Sequence, residues 1–110
     1  MATSLDQLLA TEIPDVTHTY TEKDVMLYAL GVGLGSEPLD ESQLDFVYEK
    51  ALKVLPTMPV VMGATRIRDL ALGLNYLKIV HGEQSLTLHK TLPSSATVVT
   101  KSRIAGVLDK

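Results

Sequence analysis

Residues 84–108 read QSLTLHKTLPSSATVVTKSRIAGVL, and the class of the fold follows from how this stretch is built. Polar and apolar side chains alternate over 84–90, and 97–108 is rich in β-branched residues; both patterns are typical of strands. Residues 92–95, Leu-Pro-Ser-Ser, lie between the two runs and are suited to a turn. We therefore predict an antiparallel hairpin in this part of the chain.

Upstream of residue 84 the spacing of apolar residues becomes helical. Residues 60–72 are apolar apart from three charges and contain Gly63, so we predict a mostly buried helix with an irregular middle. Residues 40–53 are predicted to be helical or partly helical. Helices followed by strands are the α+β pattern, in which helices pack on an antiparallel sheet.

The best marked helix begins after Thr21. Thr21 is placed to be its N-cap, and Asp24, three residues on, can complete a capping box. Tyr20 and Val25 occupy the positions of a hydrophobic staple. Gly31 ends the predicted helix.

Two short elements precede that helix. Leucines at helical spacing mark the first residues, and Pro14 ends their pattern. Residues 16–20 alternate, which predicts a short strand or an extended lead-in.

Gly31, Gly33 and Gly35 invite comparison with a phosphate-binding loop. A dinucleotide fingerprint needs a strand before its glycines and a helix after them. Here a predicted helix precedes the glycines and Glu37-Pro38 follows them shortly. We interpret the three glycines as a helix C-cap and a turn.

The composition excludes several classes of protein. The 110 residues suit one small domain, and the absence of cysteine removes disulfides, thiolate nucleophiles and the common structural zinc sites. A net charge of −3, scattered cations, one Phe and no Trp argue against nucleic-acid binding. No segment approaches the ~18 consecutive apolar residues of a membrane span.

His81-Gly82-Glu83 is the tripeptide most informative about function. A glycine lets a backbone amide approach a ligand oxygen, and His81 can donate or accept a hydrogen bond. The alternative is a turn that enters a strand, with a partly buried and satisfied histidine, and spacing alone favours that alternative.

Other candidate residues carry weaker signals. Tyr28 is predicted to lie in the core with its hydroxyl bonded to a neighbour, and Glu49 to be an exposed helix charge or a capping partner. Lys110 could meet a phosphate, although a terminal lysine is usually only solvated. No His spacing typical of a metal site and no Gly-x-Ser-x-Gly motif occur, so we expect neither a metal nor a hydrolase.

Seven motifs in chain order carry a resemblance to a known family. They are YTE at 20–22, LYALGVG at 27–33, FVYE at 46–49, LPT at 55–57, VHGEQ at 80–84, LP at 92–93 and VLDK at 107–110. Together they resemble the N-terminal half of the MaoC-like (R)-specific 2-enoyl-CoA hydratases. This is the hydratase unit of peroxisomal multifunctional enzyme type 2 and of free-standing bacterial relatives.

The resemblance implies a hot-dog fold, in which an antiparallel sheet wraps a central helix. It divides the chain into a lead-in, residues 1–15, and an N-terminal hot-dog domain, residues 16–110, which we expect to be incomplete at its C-terminus. In the family a second, C-terminal hot dog carries the catalytic Asp and His in an Asp-x-Asn-Pro-x-His motif. The only asparagine here is Asn75, which Tyr76 follows, so no catalytic residue is expected in this chain.

Site residues are carried over from the family position by position. His81 and Gly82 align with positions that contact the CoA substrate, and Lys110 matches a lysine that meets the CoA moiety. Residues that are typical of the family and expected to have a structural or supporting role are Tyr28, Glu49 and Glu83.

The function implied is that of an acyl-CoA-binding, non-catalytic N-terminal part of a 2-enoyl-CoA hydratase. The whole enzyme would convert trans-2-enoyl-CoA to (3R)-hydroxyacyl-CoA in fatty-acid or sterol side-chain β-oxidation. Expected partners are the enoyl-CoA, a catalytic C-terminal hot-dog half in the same or another chain, and a second copy in a full-length homodimer. CoA is part of the substrate, so no separate cofactor is expected.

A second interpretation remains open, namely a non-catalytic hot-dog dimerisation module that has no thioester ligand. Under either interpretation we expect a cytoplasmic protein in a bacterium and a peroxisomal one in a eukaryote.

Overall fold

The computed structural model describes residues 4–63, 67–70 and 72–109. Its helices and strands are α1 (Leu5–Leu9), β1 (Val16–Tyr20), α2 (Glu22–Gly31), α3 (Leu44–Val47) and β2 (Ala96–Thr100). Turns of 3₁₀ helix lie at Glu41–Gln43, Met58–Val61, Ile67–Leu70 and Tyr76–Lys78. Helices beside an antiparallel pair of strands confirm the predicted α+β class.

The sheet pairs β1 with β2 in antiparallel register. Val16 lies opposite Thr100, and Tyr20 lies opposite Ala96. The Thr19 and Thr97 hydroxyls, which face each other across the strands, are 2.8 Å apart and share a hydrogen bond. The sheet therefore joins the beginning of the chain to its last third.

The predicted hairpin is wrong, because residues 84–90 form no strand and β2 pairs with β1. The Tyr20 side chain links β1 to the residues that lead into β2. It is fully buried at the end of β1, and its hydroxyl donates to the Pro93 carbonyl at 2.6 Å. This bond holds the entrance of β2 beside β1, whereas Leu86 and Leu88 stay exposed.

Helix α2 begins as its sequence predicts. The Asp24 carboxylate accepts hydrogen bonds from the Thr21 backbone N–H at 2.9 Å and from the Thr21 hydroxyl at 3.2 Å. Tyr20 and Val25, the predicted staple, both lie in the buried core. The carboxylate thus satisfies a backbone donor that the start of the helix leaves free.

The end of α2 confirms the interpretation of the glycines as a cap and a turn. The Leu34 N–H donates to the Ala29 carbonyl at 3.0 Å, and the Gly33 N–H donates to the Leu30 carbonyl at 3.1 Å. These two bonds form a Schellman motif, which requires a left-handed residue at Gly33. Gly33 has a φ of 102°, which costs a glycine little.

Replacing Asp24 by alanine should lower the free energy of unfolding by about 1 kcal/mol, because it removes a helix-capping acceptor. Urea denaturation followed by circular dichroism measures the change. Lys23→Ala, one position away on the same exposed turn, is the matched control and should change stability little. Equal midpoints for the two variants would show that the Asp24 bonds do not stabilise the helix.

The core is one cluster of buried side chains between α2, the sheet and residues 54–62. Its members are Tyr20, Val25, Val54, Met58 and Met62, and the partly buried residues packed against them are Tyr28, Leu52, Leu92, Ala96 and Val98. Tyr20 comes from β1, Val25 from α2 and Met58 from the 3₁₀ turn Met58–Val61, so strand, helix and turn each contribute to the core.

The helix predicted for residues 60–72 is not continuous in the described part of that range; residues 64–66 and 71 lie outside it. The turn Met58–Val61 ends where Met62 takes an extended ψ of 126°, and Gly63 has a φ of 57°. A Cβ at Gly63 would lie 2.8 Å from the Thr100 Oγ1 and 3.1 Å from the His18 Cβ. The chain bends at Gly63 because its backbone lies directly against the sheet.

The prediction of partly helical structure over 40–53 is confirmed for its first half. The 3₁₀ turn Glu41–Gln43 runs directly into α3, which ends where Tyr48 becomes extended with a ψ of 135°. Beyond Tyr48, the backbone N–H of Lys53 donates a hydrogen bond to the Asp45 carbonyl at 2.7 Å and so links the end of this segment to α3.

Candidate functional site

An apolar cavity of about 420 Å³ lies beside α1. Its lining residues are Leu8, Ile13, Leu70, Leu72, Leu74, Arg103, Ile104 and Val107. Its volume falls within the range of about 300–1,000 Å³ that is typical of small-molecule sites. The cavity can therefore accommodate an apolar group of ligand size.

Local hydrogen bonds hold two walls of this cavity. In α1, the Ser4 hydroxyl accepts from the Gln7 N–H at 3.2 Å, and the Gln7 side chain accepts from the Ser4 N–H at 3.0 Å. This capping box fixes the turn from which Leu8 packs inward. On the other wall, the Leu72 N–H donates to the Tyr76 hydroxyl at 3.1 Å.

Arg103 is the one charged residue among the described residues that line the cavity. Its side chain is exposed, and within residues 4–63, 67–70 and 72–109 no carboxylate forms an ion pair with it. The cavity thus combines an apolar interior with a guanidinium that is free to meet an anion.

His81, Gly82 and Glu83 lie in an exposed segment without regular structure. The His81 Nε2 is 3.2 Å from the Gln84 Oε1, and no atom lies within 4 Å of the place where a Cβ would stand on Gly82. The backbone at Gly82 is therefore open to approach. None of the three residues lines the apolar cavity, and Lys110 lies outside the described residues.

Tyr28 and Glu49 occupy different surroundings. Tyr28 packs against the core, and its hydroxyl lies 2.8 Å from the Thr57 hydroxyl, as its sequence context predicted. Glu49 is exposed and follows α3 by two residues. The structure therefore does not bring these two side chains together with His81 into one site.

Two groups with a shifted pKa have structural causes. Hydrogen bonds donated by the Ser42 hydroxyl at 2.5 Å and by the Ser42 N–H at 3.0 Å favour the charged carboxylate and lower the pKa of Asp40. Burial raises the pKa of Tyr20. Neither residue is among the described residues that line the cavity.

Metal-binding geometry is not found in the part of the chain that the structure describes. Across those ranges, no three His, Asp or Glu side chains come together in a way that could hold an ion. Nor is any described helix long and apolar enough to cross a membrane.

Comparison with known proteins settles the family of the chain. Residues 18–110 match the family described as the MFE-2 hydratase 2 N-terminal domain. The chain belongs to this family. The resemblance that its motifs carry is thereby confirmed, and the family is one of hot-dog folds, with which the antiparallel strands and helices described above are consistent.

Relatives of this hydratase 2 N-terminal domain come from plants, animals and bacteria. The chain is 36% identical over 96% of its length to a protein of Arabidopsis thaliana named "Enoyl-CoA hydratase 2, peroxisomal". It is 36% identical over 90% of its length to "Peroxisomal multifunctional enzyme type 2" of Mus musculus. It is 30% identical over 83% of its length to "3-hydroxyacyl-thioester dehydratase Y" of Mycobacterium tuberculosis.

The domain spans only part of each relative. It covers 37% of the Arabidopsis protein, 14% of the mouse protein and 31% of the mycobacterial protein. The activities that those names state are therefore activities of longer proteins.

Sequence reasoning missed the cavity and Arg103. The reason is that 97–108 was predicted to be one strand, in which Arg103 would be an ordinary exposed position. A signal was present, because Ile104 and Val107 are three residues apart and do not alternate as strand residues do. After β2 ends at Thr100, these two side chains turn to the cavity instead.

Proposed function

We propose that the chain is the acyl-CoA-binding, non-catalytic N-terminal part of a 2-enoyl-CoA hydratase. The whole enzyme would add water to trans-2-enoyl-CoA and release (3R)-hydroxyacyl-CoA. The observation that carries this proposal is the match of residues 18–110 to the hydratase 2 N-terminal domain. The names of the Arabidopsis and mouse relatives support it.

The chemistry of hydration explains why this part would bind without converting. Adding water across the double bond needs an acid–base pair at the β- and α-carbons and donors to the enolate-like oxygen. No Asn-Pro pair occurs in the sequence, since Tyr76 follows its only asparagine, Asn75. A domain without the catalytic pair can still accelerate the reaction by positioning the thioester.

The proposed CoA contacts are His81, Gly82 and Lys110. An exposed imidazole and an open glycine backbone support the first two, since CoA offers phosphate and amide oxygens that accept hydrogen bonds. Tyr28, Glu49 and Glu83 would support the fold around the site. The support for Lys110 is the resemblance of its motif alone.

The proposal extends to partners and location. A catalytic C-terminal hot-dog half would be supplied in the same or another chain, and the full-length protein would be a homodimer. CoA enters as part of the substrate. The protein would be peroxisomal in a eukaryote, as the names of two relatives state for those proteins, and cytoplasmic in a bacterium.

Replacing His81 by alanine should weaken binding of trans-2-decenoyl-CoA about tenfold, since a hydrogen bond to a charged group contributes about 1.5–3 kcal/mol. Isothermal titration calorimetry of the 110-residue chain measures the affinity. His89→Ala, at another exposed histidine outside the motif, is the matched control and should bind as the parent does.

Equal affinities for the His81 and His89 variants would remove His81 from the site. If the parent chain bound no enoyl-CoA while its mass rose with concentration in analytical ultracentrifugation, the dimerisation module without a thioester ligand would be the better account.

A further inference from the structure

We propose that the apolar cavity beside α1 binds a long-chain carboxylate, with the hydrocarbon chain inside the cavity and the carboxylate on Arg103. This inference goes beyond the proposed function, because it needs neither a thioester nor His81. It assigns a ligand class to a cavity that lies apart from the proposed CoA contacts.

The lining of the cavity selects an apolar ligand body. Of the eight described residues that line it, seven are Leu, Ile or Val. Leu8 and Leu72 are almost fully buried, so a methylene chain inside the cavity would contact apolar side chains on more than one side. A chain that enters leaves water for an apolar surface, which is favourable, whereas a polar body would lose its hydrogen bonds there.

The position of Arg103 selects an anionic head. A guanidinium presents paired N–H donors in a fork that matches a carboxylate, and the exposed position of Arg103 places this charge where a head group can remain partly hydrated. No carboxylate of the described chain competes for it. A single-chain amphiphile with one terminal anion therefore matches both the lining and the charge.

Two sources could supply a hydrocarbon chain with an anion. In a free fatty acid the carboxylate is bonded directly to the chain, whereas in an acyl-CoA the phosphates are separated from the chain by the pantetheine arm. Arg103 lies among the residues that contact the cavity itself, so a directly attached carboxylate fits it better.

Calorimetric titration of the 110-residue chain with dodecanoate, dodecanol and dodecanoyl-CoA tests the proposal. Arg103→Gln should weaken dodecanoate binding about fivefold and leave dodecanol binding unchanged. Arg103→Lys keeps the charge and removes the fork, so it should bind dodecanoate more tightly than Arg103→Gln and more weakly than the parent. Lys101→Gln, which removes an exposed cation outside the lining, is the matched control for net charge and should bind dodecanoate as the parent does.

A second variant tests the location of the chain. Leu74→Trp adds bulk at the most exposed of the lining leucines and should weaken binding of dodecanoate and of dodecanol. Parental affinities for both probes in this variant would overturn the proposal. If this variant does not fold, Ile13→Phe on another wall replaces it.

The outcomes separate the alternatives. Loss of dodecanoate affinity in Arg103→Gln, but not in Lys101→Gln, supports the proposal. The proposal is overturned if both variants bind dodecanoate equally or if no probe binds. It is also overturned if Arg103→Gln lowers the affinity for dodecanoyl-CoA alone. These results do not depend on His81, so the proposal and the proposed function can fail separately.

Discussion

Tyr20→Ala is expected to lower the free energy of unfolding by about 3–5 kcal/mol, the usual cost of truncating a large buried aromatic residue. Tyr20 is fully buried and belongs to the core cluster together with Val25, Met58 and Met62. Its removal opens a cavity next to both α2 and the sheet. A domain of this size is stable by about 5–15 kcal/mol, so at the lower end of that range the loss leaves a visible unfolded fraction at 25 °C.

Tyr20→Phe is the matched control for this prediction. It keeps the ring and removes the hydroxyl that donates to the Pro93 carbonyl, so a loss of about 0.5–1.5 kcal/mol is expected. Urea denaturation followed by circular dichroism compares the two variants. Equal losses would mean that the ring does not fill the core as described.

Gly63→Ala is expected to cost about 2–4 kcal/mol, because it combines a left-handed backbone with an overpacked contact. Gly63 has a φ of 57°, and an added Cβ would stand 2.8 Å from the Thr100 Oγ1. The same denaturation experiment measures the effect. Gly82→Ala is the control, because nothing lies within 4 Å of a Cβ there.

A double variant locates the cause of this loss. In a Thr100→Ala background the closest contact disappears, although the His18 Cβ at 3.1 Å and the left-handed φ remain. Gly63→Ala should therefore cost less in that background than in the parent chain. An unchanged cost would show that the contact with β2 is not what excludes a side chain at residue 63.

Local elements of this fold could be predicted from the sequence because their signals act over a few residues. Thr21 and Asp24 are three positions apart, and Tyr20 and Val25 are five apart. The capping box and the staple can therefore be recognised within a short stretch of sequence. The signal for the end of α2 is equally local, because the cap is formed at Gly33, just after the helix.

The partner of β2 could not be predicted in this way. The alternation over 84–90 predicted a pairing partner that lies next to β2 in the sequence. The actual partner, β1, lies about eighty residues upstream. The Tyr20 hydroxyl donates to the Pro93 carbonyl next to that pairing, and this contact is not visible as a sheet signal in the sequence. Pairing between distant strands depends on packing that forms only in the folded chain.

The candidate sites divide along similar lines. A short motif and a family resemblance gave the proposed CoA contacts His81, Gly82 and Lys110. Both kinds of signal can be recognised in the sequence alone. The apolar cavity instead draws its lining residues from three parts of the chain that only the fold brings together. The described ones are Leu8 and Ile13, then Leu70, Leu72 and Leu74, and finally Arg103, Ile104 and Val107. Gly63 indicated an irregular middle in the predicted helix, but its close approach to Thr100 is a tertiary contact that the sequence does not show.

Calorimetry of the 110-residue chain with trans-2-decenoyl-CoA tests the central claim most directly, because one experiment reports both binding and turnover. We predict saturable heats that return to the baseline after each injection, which is the signature of a thioester that is held and not hydrated. A sustained heat that lasts until the enoyl-CoA is consumed, or heats no larger than dilution, would contradict the account.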